Sequence, residues 1–255
     1  MISINQIKHI NSLKQNKFRK IHKEFIAEGE KTVAGILSSN FEISGIFALE
    51  EWLEKNKKIC KEFNVEQISE KELKRISSQK TPNNVLAVVK IPENEIDIKT
   101  IFSDLILMLD NINDPGNLGT IIRIADWFGI KNIICSENTV DLYNPKVVQA
   151  TTGSIARVKV YYTELKEFLQ KTPENITVYG TLLEGGNISK SKLKKTGIII
   201  IGSESHGISK ELFPFIKEKI KIPEYLAKTN TQKAESLNAS IATAIVCYEF
   251  RRNFY

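Results

Sequence analysis

Three short stretches carry side chains whose chemistry goes beyond filling a core. The first is Asp110-Asn111-Ile112-Asn113-Asp114-Pro115-Gly116-Asn117-Leu118-Gly119-Thr120-Ile121-Ile122-Arg123. Pro115, Gly116 and Asn117 suit a tight loop, and Gly119 lets backbone approach backbone. Arg123 falls about one turn into the helix that follows, so its guanidinium can return toward that loop. The second is Gly202-Ser203-Glu204-Ser205-His206-Gly207, whose amides precede a helix and suit an acceptor-rich ligand. The third is Ile222-Pro223 followed by Ser236-Leu237-Asn238-Ala239-Ser240. Ser236 or Asn238 also suits a plain helix cap, and Leu237 a core position. Taken singly, each stretch fits an ordinary strand–turn–helix junction as well as a binding loop.

Familiar phosphate signatures are absent. No Gly-Lys-Ser/Thr follows Gly202, and no GxGxxG occurs, which excludes a P-loop and a dinucleotide fingerprint. His206 has only His9 and His22 for company, without ligand spacing, so it reads as a loop residue and no metal is expected. Cys60, Cys135 and Cys247 form no CxxC pair, which points to reduced thiols in a cytoplasmic protein. No apolar run approaches the roughly 20 residues that span a bilayer, and Met1 to Gln6 lacks an apolar signal core.

The elements that must position these loops alternate between strand and helix. Gly197–Ile201 is an unbroken β-branched run suited to a buried parallel strand. Lys219–Pro223 is a second strand. A helix from Ser236 then carries Leu237, Ile241, Ala244, Ile245 and Tyr248 at helical spacing. Upstream lie a strand over Leu105–Asp110, a helix over Thr120–Phe128, strands over Ile130–Cys135 and Ile176–Thr181, and helices over Lys146–Thr152 and Leu165–Gln170. Two sharp loops thus fall at the carboxyl ends of neighbouring strands, where open α/β sheets bind ligands. An earlier α/β unit has helices over Ile4–Leu13, Glu30–Ser38, Glu50–Phe63 and Glu70–Ile76. Its strands are Glu24–Gly29, Ile43–Ala48, Val65–Ile68 and Val85–Val89. The polar Pro92–Lys99 stretch separates the two. The expected division is 1–91, a linker over 92–103, and 104–255.

The 255 residues are 42% hydrophobic and 26% charged, which is ordinary globular composition. The net charge is +6 and the pI about 9.0. A Lys-rich solvated surface accounts for that balance as well as a polyanionic partner does. Locally, Lys8, Lys14, Lys17, Arg19, Lys20 and Lys23 all precede the first acidic residue, Glu24. Six cations without a counter-charge make a field suited to phosphates. Lys14, Lys17, Arg19 and Lys20 of this cluster are the expected phosphate contacts.

Together and in order, the three stretches resemble the motifs of the SpoU (TrmH-like) family of RNA 2′-O-ribose methyltransferases, in the SPOUT superfamily. Asn117 to Arg123, Gly202 to Gly207, and Ile222-Pro223 with Ser236-Leu237-Asn238 carry the likeness, which spans roughly Leu105 to Phe250. Lys17-Phe18-Arg19-Lys20 and Phe25 to Lys31 resemble the ribosomal-protein-like RNA-binding domain often fused to it. That resemblance makes Lys14, Lys17, Arg19, Lys20 and Lys31 the expected RNA contacts. The resemblance implies an α/β protein with a trefoil-knotted C-terminal domain, a mostly parallel sheet, and a smaller N-terminal α/β domain. It implies S-adenosylmethionine held by Thr181, Leu182, Gly202, Gly207, Ile222 and Leu237, and a homodimer formed through the knot. It implies methyl transfer to a ribose 2′-hydroxyl of RNA, with ribosomal RNA as the substrate; transfer RNA, or a non-catalytic role in RNA assembly, are the alternatives. Arg123 is the family's base, or else a phosphate anchor, while Asn117, Glu204, Ser236 and Asn238 position the ribose and hold the loops. One departure is the span Glu224–Glu235 between Ile222-Pro223 and Ser236, longer than the family's. It fits a lid, an RNA contact or a tolerated surface insertion.

Overall fold

The computed structural model describes residues 2–93, 95–224 and 236–252. Two compact units emerge: 1–93 with 141–157, and 94–140 with 158–255. The segment 141–157, expected within the C-terminal span, thus groups with the first unit.

The first unit contains α1 (Ile4–Ser12), α2 (Asn16–His22), β1 (Glu24–Glu28), α3 (Glu30–Leu37), β2 (Ile43–Ala48), α4 (Glu50–Lys55), α5 (Ile59–Glu62), β3 (Val65–Gln67), α6 (Glu70–Ile76) and β4 (Val85–Lys90). Its mixed sheet runs β1-β4-β2-β3. Ser3 and Gln6 form a capping box that starts α1, and Ser69 and Glu72 form another that starts α6. The single helix expected over Glu50–Phe63 is broken where Asn56 turns its amide back onto the Trp52 carbonyl, at 2.8 Å. Asn and similar short polar side chains compete with helical backbone bonding in this way.

The second unit begins with β5 (Leu105–Leu109), α7 (Pro115–Trp127) and β6 (Asn132–Cys135). After β6 the chain enters the first unit at Asp141, contributes α8 (Pro145–Thr151), and leaves at Arg157. It then continues through β7 (Lys159–Tyr162), α9 (Leu165–Gln170), β8 (Val178–Asn187), β9 (Gly197–Ile201), β10 (Glu218–Lys221) and α10 (Ala239–Arg252). The six strands are all parallel, in the order β10-β8-β9-β5-β6-β7. The central strands β5 and β9 are buried along their whole length, as the aliphatic runs dictate. Residues 225–235, which make up most of the long loop singled out in the sequence, lie outside the described residues.

Two helices differ from expectation in ways that matter for the site. Helix α7 starts at Pro115, so Pro115, Gly116 and Asn117 form its first turn, not a loop. Asp114 caps it by accepting from the Asn117 amide at 2.8 Å, and Pro at the first helical position costs no bond. Helix α10 starts at Ala239 and buries Ala239, Ser240, Thr243, Val246, Cys247 and Phe250. Ile241 and Tyr248 of the expected apolar spacing face outward instead, and Leu237 precedes the helix.

Candidate functional site

Two neighbouring strands open a cleft beside their carboxyl ends. Strand β8 pairs with β10 through Tyr179 and Gly180, then again through Gly186 and Asn187. The intervening Thr181-Leu182-Leu183-Glu184-Gly185 bows out of the ladder. A Cβ on Gly185 would lie 2.5 Å from the Ile220 carbonyl carbon, so only glycine permits the bow to close on β10. After β9, residues 203–207 form a tight hairpin. The Ser203 amide donates to the Gly207 carbonyl at 3.1 Å, and the Gly207 amide to the Ser203 carbonyl at 2.9 Å. The hairpin folds back over Gly202, where a Cβ would meet the Gly207 carbonyl carbon at 2.2 Å. Asp110, buried at the end of β5, accepts from the Ser209 amide at 2.6 Å and secures the far side of this loop.

The result is a cavity of about 870 Å³, lined by residues 181–184, 201–208 and 219–224, by Ile188, Phe213, Ser236 and Leu237, and by Ala239, Ala242 and Val246 of α10. Its volume lies within the range of small-molecule sites. Every expected cofactor contact, Thr181, Leu182, Gly202, Gly207, Ile222 and Leu237, is on this wall. Thr181 is tied down by its hydroxyl, which donates to the Ile200 carbonyl at 2.8 Å.

Two other segments converge on Glu204. Its Oε1 accepts from Asn117 Nδ2 at 3.0 Å, from Asn238 Nδ2 at 2.8 Å and from the Ala239 amide at 3.0 Å. Asn238 Nδ2 also donates to Asn117 Oδ1 at 2.8 Å. At the same time Asn238 Oδ1 accepts from the Ser240 amide at 3.0 Å and from the Ser240 hydroxyl, capping α10. Residues 117, 204 and 238 are far apart in sequence and form one closed network. Ser236 is exposed on the cavity wall. Arg123 is exposed on α7, outside that wall, and makes no ion pair or hydrogen bond among the described residues. Glu184, Leu183 and Phe213 also line the cavity and were not singled out in the sequence. The doubled glycine after Glu184 was the available signal for the bow. His206 sits at the rim, its Nδ1 2.7 Å from the Ser205 hydroxyl. Among the described residues no group of three or more His, Cys, Asp or Glu side chains is placed to hold a metal. No helix there is long and apolar enough to cross a membrane.

The first unit corrects the basic cluster. Arg19 is buried, with 3% of its side chain exposed. Its Nε and Nη2 donate to Asp141 Oδ2 at 3.0 and 2.5 Å, and Nη1 to the Leu13 carbonyl at 2.8 Å. A guanidinium so engaged cannot face RNA; it holds segment 141–157 onto the unit. Beside it Phe25 and Tyr143 pack with ring centroids 4.7 Å apart. Lys14 is half-buried and donates to the Ser77 carbonyl at 2.7 Å. Desolvation holds its ammonium pKa below the usual lysine value, against the pull of Glu28. Lys17, Lys20 and Lys31 remain exposed.

The parallel sheet carries a glycine-pinned cavity at its strand ends, beside a network joining Asn117 of α7, Glu204 of the hairpin and Asn238 ahead of α10; the chain's sequence and structural relatives make this a methyltransferase of the SPOUT class. The chain belongs to the SpoU rRNA Methylase family, whose sequence model matches residues 104–248. An MRM3-like substrate binding domain matches residues 5–87. The chain is 30% identical over 186 residues, 72% of its length and 71% of the relative's, to the 23S rRNA (guanosine(2553)-2′-O)-methyltransferase RlmP of Bacillus subtilis. Among solved structures it resembles a TrmH-family chain from Porphyromonas gingivalis, with TM-score 0.85, 34% identity and 99% of each chain covered. It also resembles the AdoMet-bound rRNA methyltransferase of Sinorhizobium meliloti, with TM-score 0.85, 27% identity, and 100% of this chain and 98% of that one covered.

Proposed function

We propose that this protein transfers the methyl group of S-adenosylmethionine to a ribose 2′-hydroxyl of ribosomal RNA. The observation that carries the reading is the network joining Asn117, Glu204 and Asn238 beside the cavity. A cavity that merely stored a small molecule would need no such polar junction at its edge. The rRNA substrates named for the Bacillus subtilis relative and the AdoMet-bound Sinorhizobium meliloti structure support the substrate and the cofactor.

The residues present fit S-adenosylmethionine. Leu182, Ile222 and Leu237 offer an apolar slot for a flat base, and the pinned backbone about Gly202 and Gly207 offers amides and carbonyls for its polar edges. Glu184 places a carboxylate on the wall of a site whose ligand is cationic. The cofactor supplies an electrophilic methyl whose departure leaves a neutral thioether, so no oxyanion hole is required. Catalysis therefore rests on alignment and on removing one proton. Asn117 and Asn238 hold Glu204 and lock the loops. Arg123, with five donors and no acceptor, grips a phosphate beside the target ribose. The first unit supplies RNA affinity through exposed cations, among them Lys17, Lys20 and Lys31, mainly by phosphate contact.

A homodimer is part of this proposal. Helices α7 and α10 pack together, yet leave Trp127, Ile241 and Tyr248 exposed by 83%, 54% and 53%. Aromatic side chains are enriched at protein contact surfaces, and Trp127 and Tyr248 would be covered if these helices met a second copy. The test of the function is a map of ribose methylation on cellular RNA with and without the protein. One ribosomal position should lose its methyl group and regain it on complementation. Unchanged ribosomal RNA would refute the proposal, and loss at a transfer-RNA position would reassign the substrate.

A further inference from the structure

We infer that Glu204 is the proton acceptor of the transfer, taking the ribose 2′-hydroxyl hydrogen on its Oε2. This rests on the methyl-transfer reading above. As the 2′-oxygen lone pair forms the new O–C bond, the methyl's bond to sulfur breaks and its electron pair stays on sulfur. The hydroxyl proton must leave in the same step, and something at the site must receive it. Arg123 is unsuited to that role. A guanidinium is a donor with no acceptor site and remains protonated in proteins.

The titratable side chains on the cavity wall are few. Glu224 is 3.5 Å from Lys221. His206 Nδ1 lies 2.7 Å from the Ser205 hydroxyl, on an exposed hairpin tip. Glu184 is exposed on the bow of β8 and has no hydrogen bond among the described residues to fix its carboxylate. Lys219 and Lys221 are donors. Glu204 differs from all of these, because it is held by residues of two other segments, at the starts of α7 and α10. All three donors, Asn117 Nδ2, Asn238 Nδ2 and the Ala239 amide, fall on Oε1, at 3.0, 2.8 and 3.0 Å. Oε2 accepts nothing among the described residues. One oxygen is therefore spent on holding the carboxylate still, and the other keeps its lone pairs. A general base must stand within hydrogen-bond reach of the proton it takes, and a carboxylate held through one oxygen presents the other in a fixed place. The proton then passes from Oε2 to water when the product leaves.

Glu204→Gln tests this, because a glutamine oxygen can still accept the three N–H bonds while the second position loses its basic oxygen. The single-turnover methylation rate on an rRNA fragment carrying the mapped target should fall by about 10²- to 10⁴-fold. S-adenosylmethionine affinity, measured by calorimetry, should stay within about threefold, since the loop geometry is kept. A binding readout separates the role from general disruption. The parent should bind the ribose fragment about tenfold more tightly than one with a 2′-deoxy target, a charge-assisted bond's worth. The variant should lose most of that preference. Near-normal turnover by Glu204→Gln, or an unchanged ribose preference, would overturn the assignment. Loss of cofactor binding would overturn it too, by making Glu204 a loop support. If the parent methylates no RNA at all, the methyl-transfer reading itself has failed, independently of Glu204.

Discussion

Replacing Arg19 by alanine separates a structural cation from an RNA-facing one. The wild-type guanidinium makes three N–H donations, two to Asp141 and one to the Leu13 carbonyl. Removing one partner of a buried pair costs about 3–5 kcal/mol, because the remaining charge stays desolvated. Here Asp141 is 26% exposed and also accepts from the Tyr143 amide at 3.1 Å, so part of its loss is recovered from water and backbone. The lower end, about 3 kcal/mol, is expected, which for a chain of this size lowers Tm by about 6–12 °C. Asp141→Ala should also destabilise. The double variant should be less unstable than the two single losses summed, by on the order of 1–2 kcal/mol. Differential scanning calorimetry on the four proteins reads the cycle. The second measurement is RNA affinity against salt. Each phosphate contact contributes about 0.7–0.9 to the slope of log K on log salt. Lys17→Ala and Lys20→Ala should each flatten that slope, whereas Arg19→Ala, assayed well below its Tm, should leave it unchanged. An Arg19→Ala protein that melts with the parent and binds RNA with a flatter salt slope would refute the reasoning.

Other perturbations reach the second unit. Gly202→Ala puts a methyl 2.2 Å from the Gly207 carbonyl carbon, so the hairpin must shift. Overpacking of about 1–3 kcal/mol should weaken S-adenosylmethionine binding on the order of 10- to 100-fold by calorimetry, with the circular dichroism spectrum kept. If the proposed dimer forms, Trp127→Asp should yield monomers in size-exclusion chromatography with light scattering, and a parent that is already monomeric would refute that interface. Burial pushes the Cys247 thiol up to about 12 and the Cys135 thiol higher still, so at pH 8 both carry their protons. Iodoacetamide should then label half-buried Cys60 in the native protein and reach the other two only in denaturant. Mass spectrometry counts the adducts.

What the sequence made legible was local. The β-branched run of β9 is buried throughout, because a strand covered on both faces needs apolar side chains at every position. Most of the expected cofactor contacts share one cavity wall because Thr181 and Leu182 lie on the bow of β8, and Gly202, Gly207 and Ile222 follow β9 and β10 of the same parallel sheet. What stayed hidden depends on partners distant along the chain. Arg19 stands among lysines and looks like any of them, and only Asp141, 122 residues away, distinguishes it. Segment 141–157 could not be assigned to the first unit from composition. What secures it there is that ion pair, the Phe25–Tyr143 contact and the approach of Gly153 to Gly35, where an added Cβ would stand 2.9 Å from the Gly153 carbonyl oxygen. Helix α10 misled for a related reason. It has apolar residues on more than one face, and periodicity cannot say which face meets the sheet and which is left for another surface.

Asn238 shows why local and functional readings of a motif need not compete. A helix cap and a site residue were alternatives for this position, since either accounts for an Asn ahead of an apolar helix. The side chain does both, because its two ends have different chemistry. The carbonyl oxygen caps α10 by accepting from the Ser240 amide, and the amide nitrogen donates to Glu204 and Asn117. Aspartate or serine would cap the helix equally well, but an aspartate oxygen would face Glu204 Oε1 at about 2.8 Å as a like charge, and serine is too short to reach. The cap explains a polar residue at this position; the second contact explains why it is asparagine.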